Sequence, residues 1–169
     1  AVNQNGLVLN YTSLNLKNNE QIVMAAVKNK GGALNHASPN LQNNEEIVKA
    51  AVKKNGSALN YASPNLQNNE QIVMAAVTDN GLALQFASTR LKNDTNIVLA
   101  AVKNKGNALD HASPNLQNNE QIVMAAVNEN RDALNYASPK WVFDFVTNNG
   151  IDLKFAHENL KKNYDIVMA

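Results

Sequence analysis

The chain of 169 residues has no cysteine, so it has no disulfide framework, no thiolate nucleophile and no zinc–thiolate site. It also lacks an excess of charge: 15 Lys and Arg stand against 14 Asp and Glu, for a formal net charge of +1. So small a charge does not steer a protein onto nucleic acid or an anionic membrane. The longest kind of apolar run, Ile-Val-Met-Ala-Ala-Val, is far shorter than the roughly 20 residues that a membrane-spanning helix needs.

What the sequence has instead is repetition. The stretch 44–56 recurs at 19–31, 69–81 and 119–131, with a looser copy at 94–106. A fixed period of this size is typical of stacked repeat architectures. The copies run 1–25, 26–50, 51–75, 76–100 and 101–125, followed by a shortened copy, 126–144, and a full one, 145–169. Both ends of the chain fall inside a repeated helix, so we expect a single array that is a segment of a longer chain.

The first half of each repeat has the start and stop signals of one long helix. Asn44 is a good N-cap residue, and Glu45 places a carboxylate at the positive end of the helix dipole. Lys53 lies near the other end, where a cation is favourable. Gly56 then ends the helix, which we attribute to the ease with which glycine adopts a positive φ. These signals predict a helix of roughly 11 residues, apolar on nearly every side and therefore packed between neighbouring copies.

The second half of each repeat is shorter and apolar on one face. Ala58, Leu59 and Ala62 fall on one side of a helix. Pro64 either breaks this helix or opens a one-turn helix capped by Ser63. Two helices from 25 residues bury too little surface to fold singly, but stacked copies share a continuous core. The sequence therefore predicts an all-α fold, an α-solenoid of two-helix repeats with one long and one short helix each.

These residues resemble a known repeat family. The stretch from Asn69 through Ile72-Val73-Met74-Ala75-Ala76-Val77 to Gly81, and on to Ala83-Leu84-Gln85-Phe86-Ala87-Ser88, is similar to the repeat of domain-of-unknown-function family 4116. Six copies match its pattern, whereas the copy 126–144 departs from it, with Arg131 in the glycine slot. The resemblance implies helical repeats of uncharacterised role and brings no catalytic residues.

The residues that could carry chemistry are better explained by the repeat itself. His36 and His111 fill a slot that holds an aromatic residue in other copies, and they lie three copies apart, too far to share a metal. Glu45 and Glu46 are adjacent in sequence and point to different parts of a helix surface. No recurring base accompanies Ser63. We therefore expect no enzyme, no cofactor and no metal.

One variable polar slot per copy is the best candidate for binding a partner. Its members are Asn35, Asn60, Gln85, Asp110 and Asn135. Some helical repeats read one nucleic-acid base per unit in this way. Here the balanced charge and the scarcity of aromatic residues argue against nucleic acid. The simpler alternatives are a solvated face, or amides that bond between neighbouring copies.

The shortened copy brings together large aromatic residues. Aligned with the long helix, with six residues dropped, Trp141 replaces an isoleucine and Phe143 a methionine. One interpretation is that these side chains fill space left by the deletion. The other is that they form an exposed anchor for a partner, since Trp and Phe are common interface hot spots.

The sequence therefore favours a non-catalytic α-solenoid scaffold or protein–protein interaction module. The expected partner is another protein or further repeats of the same chain, and no membrane is expected. One alternative is a nucleic-acid-binding repeat that uses a rim of lysines: Lys28, Lys53, Lys54, Lys103 and Lys105. Another alternative is the scaffold segment of a larger enzyme or effector.

Overall fold

A computed structural model describes residues 5–139 and 141. Within these residues the chain is an all-α solenoid and has no β-strand, as the periodicity predicts. The long α-helices span Glu20–Asn29, Glu45–Lys54, Glu70–Asp79, Thr95–Asn104 and Glu120–Glu129. Each has 10 residues, close to the predicted length.

The short half of each repeat consists of two helical segments, which refines the two-helix description. The first is a 3-10 helix: Gly6–Tyr11, Gly31–His36, Gly56–Tyr61, Gly81–Phe86, Gly106–His111 and Arg131–Tyr136. The second is a one-turn α-helix: Leu14–Lys17, Pro39–Gln42, Pro64–Gln67, Thr89–Lys92 and Pro114–Gln117. Ser63 caps the third of these through the Leu66 amide, so proline opens a helix here, one of the two alternatives left open by the sequence. We call each long helix, together with the 3-10 helix and the one-turn helix that follow it, a unit: 20–42, 45–67, 70–92 and 95–117, with a partial unit, 6–17, before them and another, 120–136, after them.

The capping residues act as the sequence indicates. The side chain of Asn44 accepts a hydrogen bond from the Ile47 amide at 3.1 Å, and Asn69 does the same for Ile72. Asp94 accepts from both Asn96 and Ile97. Each cap satisfies an amide that has no partner inside its helix.

The glycine that follows each long helix has a different role from the one predicted. The long helix 45–54 ends at Asn55, which has an extended backbone, and Gly56 begins the next 3-10 helix. Gly56 does not adopt a positive φ; instead, a Cβ there would overlap the carbonyl oxygen of Ala76 in the following unit. The attribution to positive φ was therefore wrong, and glycine is needed because two backbones approach closely.

The long helices of successive units run parallel. Gly31, directly after the long helix of one unit, lies against Asn55 at the end of the next long helix. At the opposite end, Asn18 contacts Ser38, which leads into the one-turn helix of the next unit. Since like ends meet, successive units stack in the same orientation. Equivalent residues therefore form rows along the array.

The core runs continuously through this stack. Ile47, Val48, Ala51 and Val52 on the long helix are fully buried, as are Leu59 and its equivalents on the first five 3-10 helices, whereas Leu134 on the sixth is only partly buried. The leucine of the one-turn helix closes the unit in four of the five cases, as Leu41 does at 7% exposure, whereas Leu16 in the first one-turn helix is 39% exposed. No polar or charged residue is buried among the described residues. The outer surface of the 3-10 helices is therefore where variable polar side chains are displayed.

Candidate functional site: two rows on the 3-10 helices

The polar slot singled out from the sequence forms a row on the outside of the 3-10 helices. Successive 3-10 helices pack against one another, so their equivalent residues are neighbours. We call this the amide row, and all its members are exposed: Asn10, Asn35, Asn60, Gln85, Asp110 and Asn135. The sequence alternative in which these amides bond to neighbouring copies does not hold for Asn35, Asn60 and Asn135. Their side chains make no hydrogen bond to the described residues.

Two members of the amide row do contact their own surroundings. The Gln85 side-chain amide donates to the Leu82 carbonyl at 3.1 Å, within its own 3-10 helix. The Asp110 carboxylate lies 3.9 Å from Nδ1 of His111, the next residue. Neither contact crosses to another unit, and both side chains remain exposed.

A second row runs beside the first. We call it the aromatic row: Tyr11, His36, Tyr61, Phe86, His111 and Tyr136. The Tyr61, Phe86 and Tyr136 rings rest partly on the core and are partly exposed. His111 is 27% exposed and Tyr11 is 86% exposed. The sequence shows the aromatic slot clearly, but nothing in its pattern indicates that the rings stay accessible after stacking.

The asparagines outside the amide row are largely used to hold units together. The Ser63 hydroxyl donates to Oδ1 of Asn43, 20 residues earlier, and the Ser63 amide donates to the Gln42 carbonyl at 2.9 Å. Asn80 donates to the Ser57 hydroxyl, 23 residues earlier. The serine–asparagine bond recurs at Ser38, Ser88, Ser113 and Ser138. This network, together with the helix caps, accounts for many of the asparagines of the chain without invoking a ligand.

A third set of contacts joins the end of each long helix to the glycine of the preceding unit. The Gly56 amide donates to the Asp79 carboxylate at 2.7 Å, and the Gly81 amide to the Asn104 side chain at the same distance. The Gly106 amide donates to the Glu129 carboxylate in the same way. In the second unit this position is occupied by Lys54, whose ammonium group cannot accept a hydrogen bond from the Gly31 amide.

The structure places Trp141 in a different slot from the one assigned by the sequence alignment. Its backbone amide donates to the Ser138 hydroxyl at 3.2 Å, as Leu116 does to Ser113 in the preceding unit. Trp141 is therefore the counterpart of a leucine that closes a unit, and its assignment to an isoleucine slot was wrong. Trp141 is 8% exposed and belongs to the core. It is therefore a packing residue, as the first interpretation holds, and not an exposed anchor for a partner. Phe143, the other proposed anchor, lies outside the described residues.

The lysines proposed for nucleic acid line the C-terminal ends of three long helices. Lys28, Lys53 and Lys103 are exposed there, but the intervening helix ends in Thr78 and Asp79. A carboxylate thus interrupts the basic rim. This arrangement does not provide the continuous positive track that a phosphate backbone favours.

Two depressions lie on the described surface. One, of about 610 Å³, lies along Gln21, Met24 and Lys28 on the first long helix. Another, of about 440 Å³, lies between the first two one-turn helices, Leu14–Lys17 and Pro39–Gln42. Over residues 5–139 and 141 there is no cluster of three His, Asp or Glu that could hold a metal, and no helix has the length and apolarity to cross a membrane.

Comparison with known proteins agrees with the repeat pattern. The family model described as Domain of unknown function (DUF4116) matches five overlapping segments: 1–42, 26–67, 44–92, 69–117 and 94–141. The chain belongs to this family. Each DUF4116 match covers parts of two adjacent units, and together the matches cover the chain up to Trp141. No curated protein and no solved structure matches the chain.

Proposed function

We propose that this DUF4116 array is a non-catalytic scaffold that binds another protein through its amide row. The observation that carries the proposal is the set of exposed amides on Asn35, Asn60 and Asn135, which make no hydrogen bond to the described residues. An exposed amide offers two donors and an acceptor, so a row of them can hold an extended ligand at several points. Stacked helical arrays commonly bind partners along such extended surfaces.

A contrast within the chain supports this assignment. Asn44 and Asn69 cap long helices, Asn43 bonds to the next unit, and Asn80 bonds to the preceding one. Replacing any of these asparagines would weaken the stack. The amide row contributes nothing comparable to the fold, so its polar character can serve binding.

The packing of the units also supports a role in binding. The long helices are tied to each other through buried apolar side chains and through bonds at both ends. A row fixed on such a stack is ordered before a partner arrives, which lowers the entropy lost on binding. A partner therefore meets regularly spaced groups on a rigid support.

The test compares two triple variants of the whole chain. The first changes the amide row: Asn35→Glu, Asn60→Glu and Asn135→Glu. The matched control changes three other exposed asparagines, on the one-turn helices, whose side chains also make no hydrogen bond to the described residues: Asn40→Glu, Asn65→Glu and Asn115→Glu. Both variants add three negative charges, and circular dichroism verifies that both remain folded.

Each immobilised protein is then incubated with extract of the source cells, and bound proteins are quantified by mass spectrometry. We expect wild type and control to retain a common set of proteins that the amide-row variant loses, because the added carboxylates remove donors and repel the ligand. Retention of the same set by all three proteins would contradict the proposal.

A further inference from the structure

The aromatic row indicates what kind of polypeptide the amide row would hold, an inference that rests on the proposed function. Each unit presents one ring directly beside one polar side chain, as in Asn60–Tyr61 and Gln85–Phe86. The rings are only partly covered by the core, so one edge or face of each is open to a ligand. A suitable ligand therefore places an apolar group at every ring and an acceptor at every amide.

The charge on this face decides between nucleic acid and polypeptide. The first five 3-10 helices contain no lysine or arginine, and their single charged side chain other than histidine is Asp110; the sixth contains Arg131 and Asp132, whose charges offset each other. A single-stranded nucleic acid stacked on the first five rings would have phosphates with no cation on the same helices. An uncharged polypeptide backbone meets no such penalty.

The spacing of the units decides which polypeptide conformation fits. Packed helices lie about 8–10 Å apart, so the rings repeat at about that interval. A β-strand rises about 3.3 Å per residue and returns to the same face every second residue, or about every 6.6 Å. A polyproline II helix rises about 3.1 Å per residue with three residues per turn, and so returns about every 9.3 Å. Only the polyproline II repeat matches the units one for one.

The chemistry of a polyproline II segment also fits both rows. It makes no internal hydrogen bonds, so its carbonyls are free to accept from the side chains of Asn35 or Asn60. Proline rings pack well on aromatic rings, and such segments dock in aromatic-lined grooves of other proteins. We propose that the ligand is a polyproline II segment with proline at every third position, one proline for each unit of the array.

The experiment titrates fluorescently labelled peptides with the whole chain and follows fluorescence anisotropy. One 15-residue peptide repeats Pro-Gln-Ser five times. Its control has the same composition, shuffled so that no two prolines are three residues apart. We expect the periodic peptide to bind about tenfold more tightly than the control, since the shuffled peptide loses several ring contacts.

A variant checks that the rings are responsible. Tyr61→Leu with Phe86→Leu keeps apolar groups against the core but removes both rings, and circular dichroism verifies its fold. We expect it to bind the periodic peptide about tenfold more weakly than wild type. The Asn40→Glu, Asn65→Glu, Asn115→Glu control should bind as wild type does.

The outcomes separate this inference from the proposed function. Equal binding of both peptides, or binding of neither, overturns the polyproline II ligand, as does binding of a 15-nucleotide oligouridine in preference to the periodic peptide. If extract proteins are nevertheless lost only by the amide-row variant, the scaffold proposal stands with a different ligand. If extract proteins are retained by that variant, the proposed function fails regardless of the peptide result.

Discussion

At the scale of single residues, the closest contacts between units are made by the glycine that opens each 3-10 helix. Gly56 lies so close to Ala76 that an added Cβ would meet its carbonyl oxygen, and the same Cβ would stand 3.1 Å from the Asn80 amide nitrogen. Gly32, one residue after the same slot in another unit, has open space where a Cβ would stand. The two glycines therefore make a matched pair for testing the close approach.

We expect Gly56→Ala to lower the free energy of unfolding by about 1–3 kcal/mol, because the methyl group forces two backbones apart. Gly32→Ala should change it by less than about 0.5 kcal/mol, since nothing obstructs the added methyl. Urea denaturation followed by circular dichroism measures both. Equal effects of the two substitutions would show that the close approach is not what the glycine slot requires.

At the scale of elements, one bond joins the end of each long helix to the preceding unit, and one unit lacks it. Asp79, Asn104 and Glu129 accept a hydrogen bond from a glycine amide 23 residues earlier. Lys54 occupies the same slot, and the structure shows no acceptor for the Gly31 amide among the described residues. This leaves a buried glycine with an unsatisfied donor.

We expect Lys54→Asn to raise the free energy of unfolding by about 0.5–1.5 kcal/mol relative to Lys53→Asn. Both substitutions remove one cation from the same helix end, so the loss of favourable dipole interaction is shared. Only position 54 is equivalent to Asp79 and Asn104, whose side chains accept from a glycine amide, so the comparison isolates that bond. Urea denaturation of both variants measures the difference in the free energy of unfolding. If Lys54→Asn is no more stable than Lys53→Asn, the bond to the Gly31 amide does not stabilise the fold.

The elements also show what the sequence could and could not predict. Asn44 marks the start of the long helix correctly because a cap is a local signal, whereas Gly56 follows the end of that helix for a reason other than the local one predicted. The Ser63–Asn43 bond and the glycine contacts join residues 20 or more apart, and no local pattern reveals such distances. The slot of Trp141 likewise depends on its bond to Ser138, which an alignment of 126–144 with the long helix does not reveal.

At the scale of the whole molecule, the repeat turns single side chains into rows. The amide row was recognisable from sequence, because one polar slot varies per copy. The sequence does not show that the amides of Asn35, Asn60 and Asn135 make no hydrogen bond to the described residues, because other asparagines of the chain do bond between units. The accessibility of the aromatic row likewise depends on how much of each ring is buried against the core, which the sequence does not show. Both rows exist only if successive units stack by the same step.

The distance between equivalent residues in different units tests this stacking most directly. The chain has no cysteine, so pairs of engineered cysteines carry the only spin labels. Suitable exposed positions on the one-turn helices are Asn15, Asn40, Asn65 and Asn115. Pulsed electron–electron double resonance then measures pairs two units apart (Asn15–Asn65), three units apart (Asn40–Asn115) and four units apart (Asn15–Asn115).

With about 8–10 Å per unit, we expect these distances to rise in even steps, to about 16–20, 24–30 and 32–40 Å. Each distribution should be narrow, because the labelled helices belong to one packed stack. Distances that fail to increase with the number of intervening units would contradict the solenoid, and with it both rows on which the proposed function depends.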